Sequence, residues 1–353
     1  MQSRLAKLAL ALGLGAAGGA LAFWAKLPLA WMIGAMVLTT VAAIGGAAIA
    51  VPATLRSVFV AVLGVMLGSS FRPELLDRLG EWSLSLSGLL LYTALSAWLG
   101  YRFLKRLGGF DRTTAYFGAM PGGLSEMILV GSAMGGDGRV ISFLHASRVL
   151  FVVLALPFAF QFFLGYEPSR RPSPGAPLAE LALPDLGLLV LCAVAGAALA
   201  RLARLPAWQL VGPMLLSAAV HLAGWTKASP PAELIALSQL VIGTAIGCRF
   251  AGTPLRFIAR AMVWAAMLTV LLIAVTLLCA WAVHQLTDLP TPHLVLAYAP
   301  GGLAEMSLVA LALDFDPSFV ATHHIVRIFI VVVLAPAAFR ILLRNAKQRA
   351  PGG

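Results

Sequence analysis

Two short stretches decide how this chain is read: "AMPGGLSEM" at residues 119–127 and "YAPGGLAEM" at 298–306. Each places Pro-Gly-Gly just ahead of a glutamate inside an otherwise apolar segment. Proline removes a backbone donor and clashes with the preceding turn, while a glycine pair admits positive φ and close backbone approach. A helix has to break at both places. In hydrocarbon, the N–H and C=O groups freed by such a break are tolerated only where they are buried in protein or line a watery cavity.

Composition makes the surroundings hydrocarbon. The 353 residues are 60% hydrophobic and only 11% charged, with a mean hydropathy of +0.93, against about a quarter charged in ordinary globular domains. Apolar runs long enough to span, roughly 20 residues each, fill nearly the whole chain. This is the composition of an integral membrane protein, and no stretch reads as a soluble catalytic or DNA-binding module. The formal charge of +11 is scattered through short loops rather than gathered on one face, so it reads as a topology signal and not as a nucleic-acid surface. Cys192, Cys248 and Cys279 lie in or beside apolar runs without metal or disulfide spacing. The basic, apolar N-terminal stretch invites reading as a signal peptide. A similar segment, "LLVLCAVAGAALARLARLPAW", recurs mid-chain, so the stretch is read as a retained first helix.

The chain is written twice. The interval separating Pro121-Gly122-Gly123 from Pro300-Gly301-Gly302 also separates Gly64 and Gly68 from Gly243 and Gly247, Glu126 and Met127 from Glu305 and Met306, and Asp137 from Asp316. It carries His145 to His324, Arg148 to Arg327 and Pro157 to Pro336. One residue out of step, "LPLAWMIGAM" (27–36) resembles "LPAWQLVGPM" (205–214). Residues 1–165 form the first membrane repeat and 181–353 the second, joined by a Pro- and charge-rich linker over 166–180.

Each half holds about six apolar segments. If all twelve cross, roughly fourteen basic residues fall inside and nine outside; if each Pro-Gly-Gly segment returns to the side it came from, the count becomes roughly seventeen against six. The positive-inside rule therefore favours an all-α polytopic protein of two inverted-topology repeats, each with about five crossings plus one re-entrant or broken Pro-Gly-Gly helix. Both chain ends are then cytoplasmic, in a multi-pass membrane protein.

Matched breaks in two inverted halves point to a transporter's midplane site. The segments after the breaks begin half-helices whose N-terminal N–H groups favour an anion. Pro121, Gly122, Gly123, Ser125, Pro300, Gly301 and Gly302 are thus candidate substrate-binding residues; the alternative is a pair of Pro-kinked spanning helices. Glu126 and Glu305 fall in the first turn, where a carboxylate caps the helix start or carries Na+ or H+. "FLHASRVLFVV" and "THHIVRIFIVV" set His145 with Arg148, and His324 with Arg327, on one helix face at i and i+3. The arginine fork suits a carboxylate, sulfonate or phosphate. The competing reading pairs Arg148 with Glu126 and Arg327 with Glu305. The histidines either join the ion coupling or pack with a hydrogen bond. Asp137, Asp314 and Asp316 are expected to terminate helices, and His323, His221, His284 and His293 to be loop or packing residues. Arg249 is expected to meet lipid headgroups or line an entrance.

With "MPGGLSEM" and "APGGLAEM", each followed by a His-x-x-Arg helix, the chain resembles the AbrB-type duplicated membrane proteins of Gram-negative bacteria over essentially its whole length. Labels attached to that family include regulator of gene expression and ammonia monooxygenase; its name is shared with a small, soluble, strand-rich DNA-binding regulator that this sequence does not match. A copper oxygenase needs clustered metal ligands, and here each candidate histidine sits beside an arginine. No metal and no cofactor are expected, and the protein is not read as an enzyme. Its expected partners are the lipid bilayer and a small anionic solute, with no direct nucleic acid; self-association into a homo-oligomer is left open. The function expected is secondary transport of a small organic anion, with a non-transporting membrane sensor that affects gene expression indirectly as the alternative.

Overall fold

Backbone groups inside a bilayer must be satisfied within their own segment, so the apolar runs become helices and the Pro-, Gly- and charge-bearing stretches become the turns between them. The computed structural model describes residues 3–73, 79–165 and 175–348. Among these residues there are fourteen α-helices and no strand. The first half supplies α1 (Arg4–Trp24), α2 (Ala30–Ile44), α3 (Ala53–Gly68), α4 (Trp82–Arg106), α5 (Arg112–Ala119), α6 (Leu124–Ala133) and α7 (Gly138–Leu164). The second supplies α8 (Leu183–Leu202), α9 (Trp208–Leu222), α10 (Ala232–Gly247), α11 (Leu255–His284), α12 (Thr291–Tyr298), α13 (Leu303–Ala312) and α14 (Pro317–Gln348). Most of the expected linker, residues 166–174, lies outside the described residues.

Seven of these helices are long and apolar enough to cross a membrane. Their outer faces carry large apolar side chains that a water-soluble protein would bury, such as Phe162 at 84% exposure and Phe163 at 78%. Contiguous exposed apolar surface on this scale has lipid as its solvent, and the chain is a multi-pass membrane protein.

The helices pack in two sets, each drawn from both halves of the sequence. In one, α1 lies against α2 and α8 against α9, while α2 pairs with α10 and α3 with α9. Small residues permit this. A side chain at Gly64 would run into the backbone of Leu210, and one at Gly243 into that of Met32. Gly68 and Gly247 repeat the contact one turn on, against Met214 with Ser217 and against Met36 with Thr39. Both pairings advance in the same direction along the two chains, so α3 runs parallel to α9 and α10 parallel to α2. Close backbone approach of this kind, rather than hydrophobic exclusion, drives helix association in lipid.

The second set holds α4, α7, α11 and α14 with the short helices between them. Asp137 and Asp316, expected to terminate helices, instead start them: Asp137 Oδ1 accepts from the N–H of Arg139 at 2.9 Å and of Val140 at 3.0 Å, and Asp316 Oδ1 from that of Ser318 at 2.9 Å. An aspartate ahead of a helix satisfies donors left free in its first turn. Asp314, with φ of 62°, does end α13 through a left-handed residue. His323 is fully buried and bridges α14 to α4, its Nε2 lying 2.9 Å from Ser85 Oγ.

The short helices fold back on each other. The N–H of Asp137, beyond the end of α6, donates to Thr114 Oγ1 in the first turn of α5 at 2.8 Å. A continuous helix would hold these residues about 35 Å apart. In the second half, the rings of His293 in α12 and Phe315 after α13 lie with centroids 4.5 Å apart. Each Pro-Gly-Gly is therefore the tip of a helical hairpin whose two ends meet.

Two outcomes test this packing. Gly68→Val and Gly247→Val are expected to lower the melting temperature in detergent, by the roughly 1–3 kcal/mol that overpacking costs, whereas Gly13→Ala, which meets nothing within 4 Å, should not. A Thr114→Cys and Asp137→Cys pair is expected to cross-link on mild oxidation; failure to cross-link in a folded protein would count against the hairpin.

Candidate anion site

Breaking a helix leaves the last carbonyls of the first piece and the first N–H groups of the second without partners. The hairpin tips show how each is met. From α7, Arg148 Nη1 donates to the carbonyls of Met120 at 3.0 Å and Ala119 at 3.5 Å, the last residues of the α5 arm. From α14, Arg327 Nη1 donates to Ala299 at 2.7 Å and Tyr298 at 3.3 Å, and its Nη2 to Gly301 at 2.9 Å. A guanidinium thus sits at the negative end of each entering half-helix, where cations are favoured. Arg148 and Arg327 are each only 2% exposed.

The histidine one turn earlier completes the clamp. Arg148 Nη2 lies 3.0 Å from His145 Nδ1, and Arg327 Nη2 lies 3.0 Å from His324 Nδ1. Arginine only donates, so Nδ1 accepts in both rings. The proton is then on Nε2, which donates to the carbonyl of Phe117 at 2.9 Å in one half and of Leu296 at 2.9 Å in the other. Both imidazoles are thereby held neutral, in a single tautomer, with both nitrogens used.

The departing half-helices are met by carboxylate. Glu126 and Glu305 lie in the first turns of α6 and α13, and each folds back so far over its helix start that a side chain at Gly123 or Gly302 would strike the carboxylate. That is one reason for the second glycine of the motif. Glu126 Oε1 also accepts from the N–H of Ala207 at 3.1 Å, which ties the first hairpin to the other helix set. Ala207 has a left-handed φ of 49°, as Leu29 has one of 47° at the matching turn. Strained non-glycine residues of this kind are held in place by their surroundings and gather at functional sites. The competing expectation of Arg–Glu pairs is not what the side chains do: the arginines serve carbonyls, and Glu126 serves the N–H of Ala207.

Between the two tips lies a cavity of about 250 Å³. Of the residues expected to bind substrate or couple ions, Gly122, Gly123, Ser125, Glu126, His145, Arg148, Gly301, Gly302, Glu305 and Arg327 line it. Pro121, Pro300 and His324 do not; the prolines shape the turns and His324 sits behind Arg327. The lining also holds residues that the motifs did not single out, Arg56, Ser57 and Ala207–Leu210, together with Arg249. The signal that would have found Arg56 is a lone arginine in an apolar helix of the duplicated segment. Among the described residues, no three His, Cys, Asp or Glu side chains come together as a metal cluster.

Removing either clamp has a definite cost. Arg148→Met or Arg327→Met is expected to destabilise the protein by about 3 kcal/mol, since buried carbonyls and an imidazole nitrogen lose their donor. Arg148→Lys should recover only part of it, because one ammonium lacks the fork that reaches two carbonyls and a ring. Denaturation in detergent measures both, and a lysine variant as stable as the parent would speak against the clamp.

Relatives share this chain's length. The profile of the AbrB family, described as "Transition state regulatory protein AbrB", matches residues 3–343. A Bacillus subtilis (strain 168) protein named "Uncharacterized protein YhjN" is 30% identical over 295 residues, covering 80% of this chain and 77% of its own. An Escherichia coli (strain K12) protein named "Putative regulator AbrB" is 26% identical over 329 residues, covering 92% of each. This multi-pass membrane chain belongs to the AbrB family.

Proposed function

We propose that the protein is a secondary transporter of a small organic anion. One observation carries this reading: two half-helix starts and four arginines, Arg56, Arg148, Arg249 and Arg327, converge on one cavity between the hairpin tips. Helix N-termini and guanidinium groups both favour negative charge, and such a cavity in a membrane protein suits a solute better than a lipid or a protein partner.

The arrangement also suits alternating access. Apart from its hairpin, which returns on itself, each half has five helices, α1, α2, α3, α4 and α7 in the first and α8, α9, α10, α11 and α14 in the second. Five crossings would turn the second half upside down relative to the first. With both chain ends cytoplasmic, the turns carrying Arg56, Ala207 and Arg249 lie on the cytoplasmic side, and the cavity faces the cytoplasm of a bacterial inner membrane. One helix set moving against the other would expose the site to the opposite face. Glu126 and Glu305, at the helix starts, are the groups through which Na+ or H+ would be coupled.

The second reading is a membrane sensor that binds an anion without moving it and affects gene expression indirectly. It is favoured by the names carried by the family and by the Escherichia coli relative. Reconstituted protein distinguishes the two. With radiolabelled acetate, succinate or inorganic phosphate outside liposomes, an imposed Na+ or H+ gradient is expected to drive uptake of at least one, and Glu126→Gln with Glu305→Gln to abolish the dependence on the gradient. An anion that binds the purified protein while no gradient drives flux would instead favour the sensor.

A further inference from the structure

The four cavity arginines are not equivalent. Arg148 and Arg327 have committed their terminal nitrogens to carbonyls and a histidine. Arg56, in the first turn of α3, and Arg249, in the short turn after α10, line the same cavity and make no hydrogen bond or ion pair among the described residues. Arg56 Nε is buried without a hydrogen-bond partner, as are Arg148 Nε and Arg327 Nε; what sets Arg56 apart is that its terminal nitrogens are uncommitted as well. The charged neighbours of Arg249 are Arg56 and Glu305, so the two guanidiniums also repel each other. Both arginines are partly buried, and a like-charged neighbour raises the cost of holding a cation there.

Duplication does not account for them. The interval that carries each Pro-Gly-Gly to its copy carries Arg56 to Ile235 and Arg249 back to Ser70. Helices α3 and α10 are built from either residue set, so the fold itself does not demand the cations. They line the cavity together with the hairpin tips.

The charges can be counted. Four guanidiniums and two carboxylates line the cavity, and the hydrogen bonds of His145 and His324 fix both rings as neutral. Four less two leaves two positive charges without compensation. We infer that the ligand is a small dianion, drawn into the cavity by these two uncompensated charges and held by Arg56 and Arg249. The inference rests on the cavity being an anion site, and not on transport. A short dicarboxylate and a phosphate group share this chemistry; a monocarboxylate leaves one charge unmet. Arg148 and Arg327 then hold the site together, and Arg56 and Arg249 select what enters it.

The test is equilibrium binding to the full-length protein in detergent, with succinate, glutarate and inorganic phosphate set against acetate, butyrate and monomethyl succinate. Dianions are expected to bind at least about tenfold more tightly than the matched monoanions, one charge-assisted contact being the difference. Arg56→Gln and Arg249→Gln should each weaken dianion binding by about thirtyfold or more, the lower end for removing one partner of a charged pair, while leaving the unliganded protein at least as stable as the parent, since a repulsion is removed. Arg56→Lys should retain part of the preference. Binding by the diacids but not phosphate would name the organic class, and the reverse a phosphate; either supports the inference. Monoanions that bind as tightly as dianions, in the unsubstituted protein, would overturn it, as would unaltered dianion affinity in both glutamine variants. Dianion binding without flux in liposomes would leave it standing and remove the transport reading. Driven flux of a monoanion, indifferent to Arg56 and Arg249, would do the opposite.

Discussion

Everything at the centre of this protein depends on how a helix can be broken inside a bilayer. Each Pro-Gly-Gly leaves carbonyls on one side of the break and N–H groups on the other, with no water to satisfy them. The chain answers with opposite charges. Arg148 and Arg327 bind the stranded carbonyls, and Glu126 and Glu305 curl over the stranded N–H ends. Both answers agree with the helix dipole, cation at the C-terminal end and anion at the N-terminal end. The same solution appears in both halves, with His145 and His324 fixing the arginine forks.

This arrangement changes what the arginines are for. A guanidinium with five donors can serve several acceptors at once, and Arg148 and Arg327 serve two or three carbonyls and a ring nitrogen each. They are braces first, and they give the cavity its positive potential as a consequence. The cavity side chains whose terminal nitrogens are uncommitted are the unmatched Arg56 and Arg249. A symmetric scaffold with an asymmetric pair of cations is a natural way to build a preference into a duplicated fold: the repeat supplies the cavity, and departures from the repeat supply the selectivity.

The two packing sets give the site its mechanical setting. One set carries the hairpins; the other carries Arg56, Arg249 and the strained Ala207 turn. The bond from the Ala207 N–H to Glu126 crosses between them. A carboxylate that lies over a helix start and also holds the facing bundle is sensitive to whatever neutralises it, whether a proton or a cation. Glu305, buried at 7% exposure, sits in the matching position on the other hairpin.

Much of this was legible in the sequence, because the rules of a lipid environment are strict. Apolar runs have to be helices, Pro-Gly-Gly has to break them, and two copies at one interval mark a duplicated site; hydropathy and spacing carry that information in full. The helix order, the hairpin tips and most of the cavity's hairpin wall were readable in this way, from Gly122 and Gly123 through Arg148 to Arg327. Tertiary structure decided what each polar group does there. Whether Arg148 meets Glu126 or the Met120 carbonyl depends on where α7 passes the end of α5, and no local pattern records that distance. The place of Arg56 in the site depends on α3 packing against α9 through Gly64 and Gly68, a contact between residues far apart in the chain. Sequence spacing states which side chains share a helix face; which face meets which cavity is settled only when the helices close on one another.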